Sequence, residues 1–140
     1  ALRHARHYVR GMHGFLDLYM ARARAFSIED LNVLRKLFLD TLDLAVNLYG
    51  DLVFRPFNVE KNAWESRAHR AFYDAVMVGL ASVRERRDVL LARREEVING
   101  TRTLFLEHEP GTFTGRGNTK KDVQDRIQKY THMIDQLLSR

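Results

Sequence analysis

At 140 residues, with 45% apolar and 29% charged side chains, the chain is one domain's worth of sequence. A chain of that size can bury roughly two-thirds of the surface its unfolded form exposes. The charged fraction excludes a membrane-embedded chain, and no apolar run approaches the ~18–20 residues of a spanning helix. The absence of cysteine excludes a disulfide framework and a thiolate metal site, and the net charge of +5 suits nucleic acid or an acidic partner surface without selecting either.

The first residues lack the charged-then-apolar-then-small order of a signal peptide, so the expected compartment is the reducing cytoplasm. The chain opens inside an apparent helix pattern, which reads as a single helical domain over 1–140 that is a fragment or C-terminal module of a larger protein. From Leu2 to about Arg24, Tyr8, Met12, Phe15 and Tyr19 recur at helical spacing, with Val9, Leu16 and Met20 widening the face. Ser27-Ile28-Glu29-Asp30 is a helix start, because the serine hydroxyl can accept an unpaired backbone N–H and the acids suit the positive end of the dipole. Leu31, Leu34, Phe38, Leu42, Ala45 and Tyr49 follow, with further apolar residues over much of the circumference. This predicts a central helix ended by a left-handed cap at Gly50.

Residues 51–63 read as irregular around Pro56, and a helix is expected to resume near Ala63, with Trp64, Ala68, Phe72, Val76, Gly79 and Val83 on one stripe. Arg84 to Asp88 lacks apolar residues and is either a solvated turn or a short break, with Asp88 a candidate cap. Leu90, Val97, Thr101 and Leu104 line the next helix. Pro110-Gly111 opens a loop to Asn118, Thr119-Lys120-Lys121-Asp122 has the form of a capping box, and Val123, Ile127, Tyr130, Ile134 and Leu137 mark the last helix. No strand pattern or internal repeat is visible. The predicted fold is an all-α bundle of four to five amphipathic helices with irregular loops near 51–63 and 107–119.

The order of these pieces resembles the C-terminal helical region of bacterial restriction and phage-defence proteins of the GmrSD type. The residues that carry it are Leu48-Tyr49-Gly50, Phe54-Arg55-Pro56, Arg70-Ala71-Phe72-Tyr73-Asp74-Ala75, the turn from Phe113 to Thr119, and Val123-Gln124-Asp125-Arg126-Ile127. The resemblance covers about residues 28–138 and implies an N-terminal partner domain, ParB-like, that handles nucleotide or acts as a nuclease. The family's Asp-Gly-Gln-Gln-Arg motif belongs to that missing half and is absent, as is a His-Asn-His nuclease constellation. Any catalytic machinery is then expected in other sequence.

The residues themselves offer few chemical constellations. His4 with His7, and His13 with Asp17, can each share a helix face, but a metal site needs three or four convergent ligands. Asp40 and Asp43 lack histidine company, and no Glu-x-x-His element of a di-metal bundle is present. The expectation is a chain without cofactor, metal or catalytic residues of its own. Gly115-Arg116-Gly117-Asn118-Thr119-Lys120-Lys121 is the best phosphate candidate, since it combines glycines, cations and a helix N-terminus, yet it follows no strand and lacks a P-loop ending. Arg84, Arg86, Arg87, Arg93 and Arg94 cluster, and Arg84, Arg87 and Arg94 can lie near one side of a helix as a stripe that could neutralise phosphates, with Arg116, Lys120 and Lys121 beyond it. Acids interleaved with the stripe also suit ordinary intrahelical pairs.

Phe54, Phe57, Trp64, Phe72, Tyr73 and Ile127 are expected to organise the core. Asp74, the single acid in an apolar run, is expected to meet Arg126 of the last helix in a buried pair that pins register. Asn99-Gly100-Thr101 matches a glycosylation acceptor, set aside because no secretion signal accompanies it. The expected function is a non-catalytic helical module that packs against the N-terminal domain of its parent protein; the alternative is a basic nucleic-acid-binding module. DNA contact and self-association are left open by the sequence.

Overall fold

A computed structural model describes residues 27–109, 111–114 and 119–140. Its helices are α1 (Ile28–Tyr49), α2 (Arg70–Ser82), α3 (Arg87–Ala92), α4 (Arg94–Glu107) and α5 (Lys120–Leu138). The chain is an all-α bundle, as its periodicity predicts, and the helix expected over 2–24 lies outside the described residues. No helix among the described residues is long and apolar enough to cross a membrane.

Local chemistry fixes the two long outer helices. Ser27 Oγ accepts the Asp30 N–H at 3.0 Å and Thr119 Oγ1 accepts that of Asp122 at 3.1 Å, while each aspartate carboxylate returns to the cap backbone. Both are complete capping boxes with aspartate in the third helical position. α1 ends at Gly50, but at φ 57° and ψ −129°, which is not the left-handed helical cap expected there. The chain instead enters a 3-10 turn at Gly50–Leu52. The positive φ favours glycine at position 50, and a side chain there would stand 3.1 Å from the Arg94 guanidinium, which would have to shift slightly.

Three sequence expectations are corrected here. Helix does not resume at Ala63: Phe57–Asn58 (β1) and Ala63–Trp64 (β2) form a short antiparallel ladder with Phe57 opposite Trp64. Asn62 turns the hairpin at φ 51°, Asn58 Oδ1 accepts the Lys61 N–H, and the Phe57 and Trp64 rings meet edge-on at 5.3 Å. Trp64 therefore belongs to the hairpin, and α2 begins only at Arg70. Second, Asp88 does not cap α3; it sits within its first turn, and the cap position falls to Arg86, the last residue of the 3-10 turn Arg84–Arg86. Third, the helix expected through Leu90 to Leu104 is broken at Arg93, whose N–H is shared between the Val89 and Leu90 carbonyls.

The central helix is α2, not α1. Phe72 and every residue from Asp74 to Ala81 are buried in α2, whereas burial on α1 starts only at Thr41. α2 packs most extensively on α5 and next on α1, while α4 packs on α5 and α1. Phe72 is the aromatic centre, with Phe105, Phe113 and Tyr130 rings at 5.1, 6.0 and 6.1 Å, all near edge-on.

Candidate functional site

The deepest polar feature joins three helices. Thr101 Oγ1 on α4 donates to the Val97 carbonyl at 2.8 Å, so its one proton is committed. It must therefore accept from Tyr49 of α1 at 2.7 Å, and the Tyr49 hydroxyl in turn accepts from Tyr130 of α5 at 2.7 Å. The result is a one-way relay, Tyr130 to Tyr49 to Thr101 to Val97, with every member buried. Burial pushes the Tyr49 phenol up to about 12, against the opposing pull of its bonds to Thr101 and Tyr130. Tyr130 is raised well above the ordinary value, first by burial and then by the neighbouring Tyr49. All three residues lie on stripes the sequence marks as apolar, and hydroxyl-bearing residues on three facing stripes were the available signal for the relay.

Most of the arginine stripe is engaged by partners within the chain. Arg93 Nη1 donates to the Leu137 carbonyl at 2.8 Å and Nη2 to that of Arg140 at 3.3 Å, holding the C-terminal end of α5. Arg94 Nε donates to the Leu48 carbonyl at 2.9 Å, holding the end of α1. Arg84 Nη1 donates to the Ala81 carbonyl at 2.8 Å at the end of α2. A cation on carbonyls at a helix C-terminus is the favourable arrangement, and none of these three helices has a basic residue of its own in the last turn. Arg87 meets Asp43 of α1 at 2.7 Å. Of the eight basic residues singled out in the sequence, Arg86, Arg94, Lys120 and Lys121 are exposed, Arg84, Arg87 and Arg93 are half-buried, and Arg116 lies outside the described residues.

The phosphate candidate at the start of α5 has an acid in place. The Asp122 carboxylate accepts from the Thr119 hydroxyl at 2.7 Å and from its N–H at 3.1 Å. Those two bonds hold its carboxyl below the ordinary value, with smaller help from Arg126 and Lys121. An anion approaching this helix end would meet that charge.

Asp74 and Arg126 are buried, 3% and 4% exposed, on the two helices with the most extensive mutual packing, and each is engaged by neighbours. The charge on Asp74 adds to burial in raising the neighbouring Tyr73 phenol. Phe54 is buried at φ 62° with its ring 4.7 Å from that of Tyr73, which fixes the corner before the hairpin onto α2. Arg102 of α4 lies 5.6 Å over the Phe57 ring and holds the hairpin from the other side.

α4 and α5 run antiparallel and leave a groove of about 710 Å³ between them. Glu96 and Glu107 stand on its α4 wall, Lys129 and Arg140 on its α5 wall, and Gly100 and Met133 approach closely at its floor. The His108 imidazole at one end is held below its ordinary value by burial and by Lys129, against the opposing charge of Glu107. Among the described residues no group of three His, Asp or Glu side chains is placed to hold a metal. The pairs His4–His7 and His13–Asp17 lie outside those residues. The glycosylation triplet sits inside α4, with Thr101 committed to the buried relay.

No protein-family model matches the chain, and neither a curated protein nor a solved structure matches it.

Proposed function

We propose that the chain is a non-catalytic helical module of a GmrSD-type restriction or phage-defence protein, packing against or regulating an N-terminal ParB-like NTPase or nuclease domain. The family assignment rests on the sequence resemblance alone. The observation that carries the structural half of this reading is the use of the arginines within the chain. Arg84, Arg93 and Arg94 grip carbonyls at the ends of α2, α5 and α1, and Arg87 pairs with Asp43. Charge spent in this way holds a bundle in shape and is withdrawn from a ligand. The Phe54 corner and the buried Asp74 and Arg126 fit the same role.

The alternative, a nucleic-acid-binding module, is favoured by the exposure of Arg86, Arg94, Lys120 and Lys121. Fluorescence anisotropy with duplex DNA across a salt series separates the two. The module reading expects no binding at low salt. Binding that weakens steeply with salt and disappears in an Arg86→Ala/Lys120→Ala/Lys121→Ala variant establishes the alternative. The family part has its own check, because the reading frame ahead of Ala1 is expected to encode Asp-Gly-Gln-Gln-Arg.

A further inference from the structure

Of the large apolar side chains that stand exposed among the described residues, Ile28, Phe38, Leu39 and Val46 belong to α1, against Val59 and Leu106 elsewhere. Ile28, Arg35, Leu39, Leu42 and Val46 follow one another at steps of seven, four, three and four. Those steps set them within an arc of about 60°, opposite the buried Leu44 and Leu48. Alternating steps of four and three are the spacing of a seam between two helices. The two borders of the stripe differ. Phe38, 43% exposed, widens it on one side, and Lys36 and Asp43 stand exposed on the other.

Charge selects the occupant. Along the stripe the cations Arg35 and Lys36 come first, and Asp43 follows two turns later on the same border as Lys36. A helix with that order repels a parallel copy of itself and complements a reversed one. We propose that this face of α1 binds a second copy of the chain, α1 against α1, antiparallel about a two-fold axis between positions 40 and 41. Leu39 then faces Leu42 of the second copy, and Leu42 faces its Leu39, the reciprocal pairing that a two-fold contact requires. The axis keeps like borders together. Phe38 falls beside Leu42 of the second copy on the apolar border, and Lys36 falls between its Asp43 and Asn47 on the other. Arg35 faces Val46 of the second copy, one turn from its Asp43. Within its own chain Asp43 meets Arg87 through Oδ2, and a carboxylate accepts at two oxygens; Lys36 meets Asp40 and has further protons to donate. The contact goes beyond the reading of the chain as a module and does not depend on its family.

Sedimentation of the full chain tests this. The parent is expected at twice the mass of one chain, falling to a single mass on dilution. Leu39→Glu/Val46→Glu is expected to raise the dissociation constant about a hundredfold or more, with circular dichroism unchanged. A parent that is monomeric at every concentration, or a variant that pairs as the parent does, overturns the proposal. The chain has no cysteine, so a single introduced thiol reports direction. Leu39→Cys is expected to crosslink to its counterpart, which lies about one turn away along the axis, whereas the two copies of Ile28→Cys stand about 37 Å apart and are expected not to. Crosslinking at Ile28→Cys marks a parallel pair and overturns the arrangement, and none at Leu39→Cys overturns the contact. Lys36→Asp and Asp43→Lys are each expected to weaken self-association about tenfold, and to pair with one another on mixing as tightly as the parent does. Failure to recover on mixing overturns the register.

Discussion

The Tyr130 ring lies directly against the backbone of Gly79. A methyl group on that glycine would come within 2.9 Å of Tyr130 Cε1 and closer still to Cδ1, with Thr131 Oγ1 at 3.3 Å. α2 and α5 therefore approach as closely as they do because position 79 has no side chain. Gly79→Ala gains helix propensity in isolation, yet here it must push Tyr130 out of a buried site that also fixes its hydroxyl. The expected net cost is about 1–3 kcal/mol, the range for an overpacked core. Urea unfolding monitored by circular dichroism measures it, and a stabilised variant would show that the two helices separate freely.

The one-way relay predicts an order among three substitutions. In Tyr130→Phe, Tyr49 still donates to Thr101 and loses only a donor to its own oxygen. In Tyr49→Phe, the Tyr130 hydroxyl loses its acceptor while buried, and Thr101 loses its donor. Tyr49→Phe is therefore expected to cost about 1–3 kcal/mol and Tyr130→Phe about 1 kcal/mol. Thr101→Val leaves the Tyr49 proton without an acceptor and belongs with the more costly variant. Chemical denaturation of the three proteins side by side checks the order, and equal costs would remove the assigned direction.

What the sequence made legible is what local chemistry decides. The Ser27 and Thr119 boxes are written within four residues each, and the stripe through Val123, Ile127, Tyr130, Ile134 and Leu137 is buried as its spacing requires. The β1–β2 hairpin was not legible, because strands of two residues have no period to read. The break at Arg93 was not legible either. It orients two adjacent guanidinium groups toward carbonyls of different helices, Leu137 and Leu48, which are 44 and 46 residues away. The same distance explains why the basic stripe looks like one outward surface in the sequence. Spacing places side chains on a helix, whereas tertiary partners decide where long ones end.

Those partners separate Arg93 from Arg87. Arg93 makes two bonds to carbonyls at the end of α5, one of them partly buried. Arg87 pairs with Asp43 where both side chains are well exposed, at 37% and 60%. Arg93→Ala is expected to destabilise by about 1–2 kcal/mol, and Arg87→Ala by less than about 1 kcal/mol. Arg93→Lys should fall between Arg93→Ala and the parent, since a single ammonium cannot span both carbonyls. Repeating the unfolding series in high salt should shrink the Arg87 effect more than the Arg93 effect, and the reverse would show that the outward pair matters more to the bundle.

The buried phenols also set an alkaline limit. In the unfolded chain Tyr49 ionises at its ordinary value of 10.0, whereas in the folded protein it does so near 12, with Tyr130 raised as well. Between these values the unfolded state releases protons that the folded state keeps, so stability must fall as pH rises. The contribution is fully present below pH 10. For Tyr49 alone the loss reaches roughly 2 kcal/mol by pH 12, and Tyr130 adds to it. Urea midpoints between pH 8 and pH 12 should decline above about pH 10 for the parent. They should decline less for Tyr49→Phe, which lacks one of the two groups. A midpoint that held level through pH 11 in the parent would mean that Tyr49 and Tyr130 ionise in the folded bundle as readily as in water.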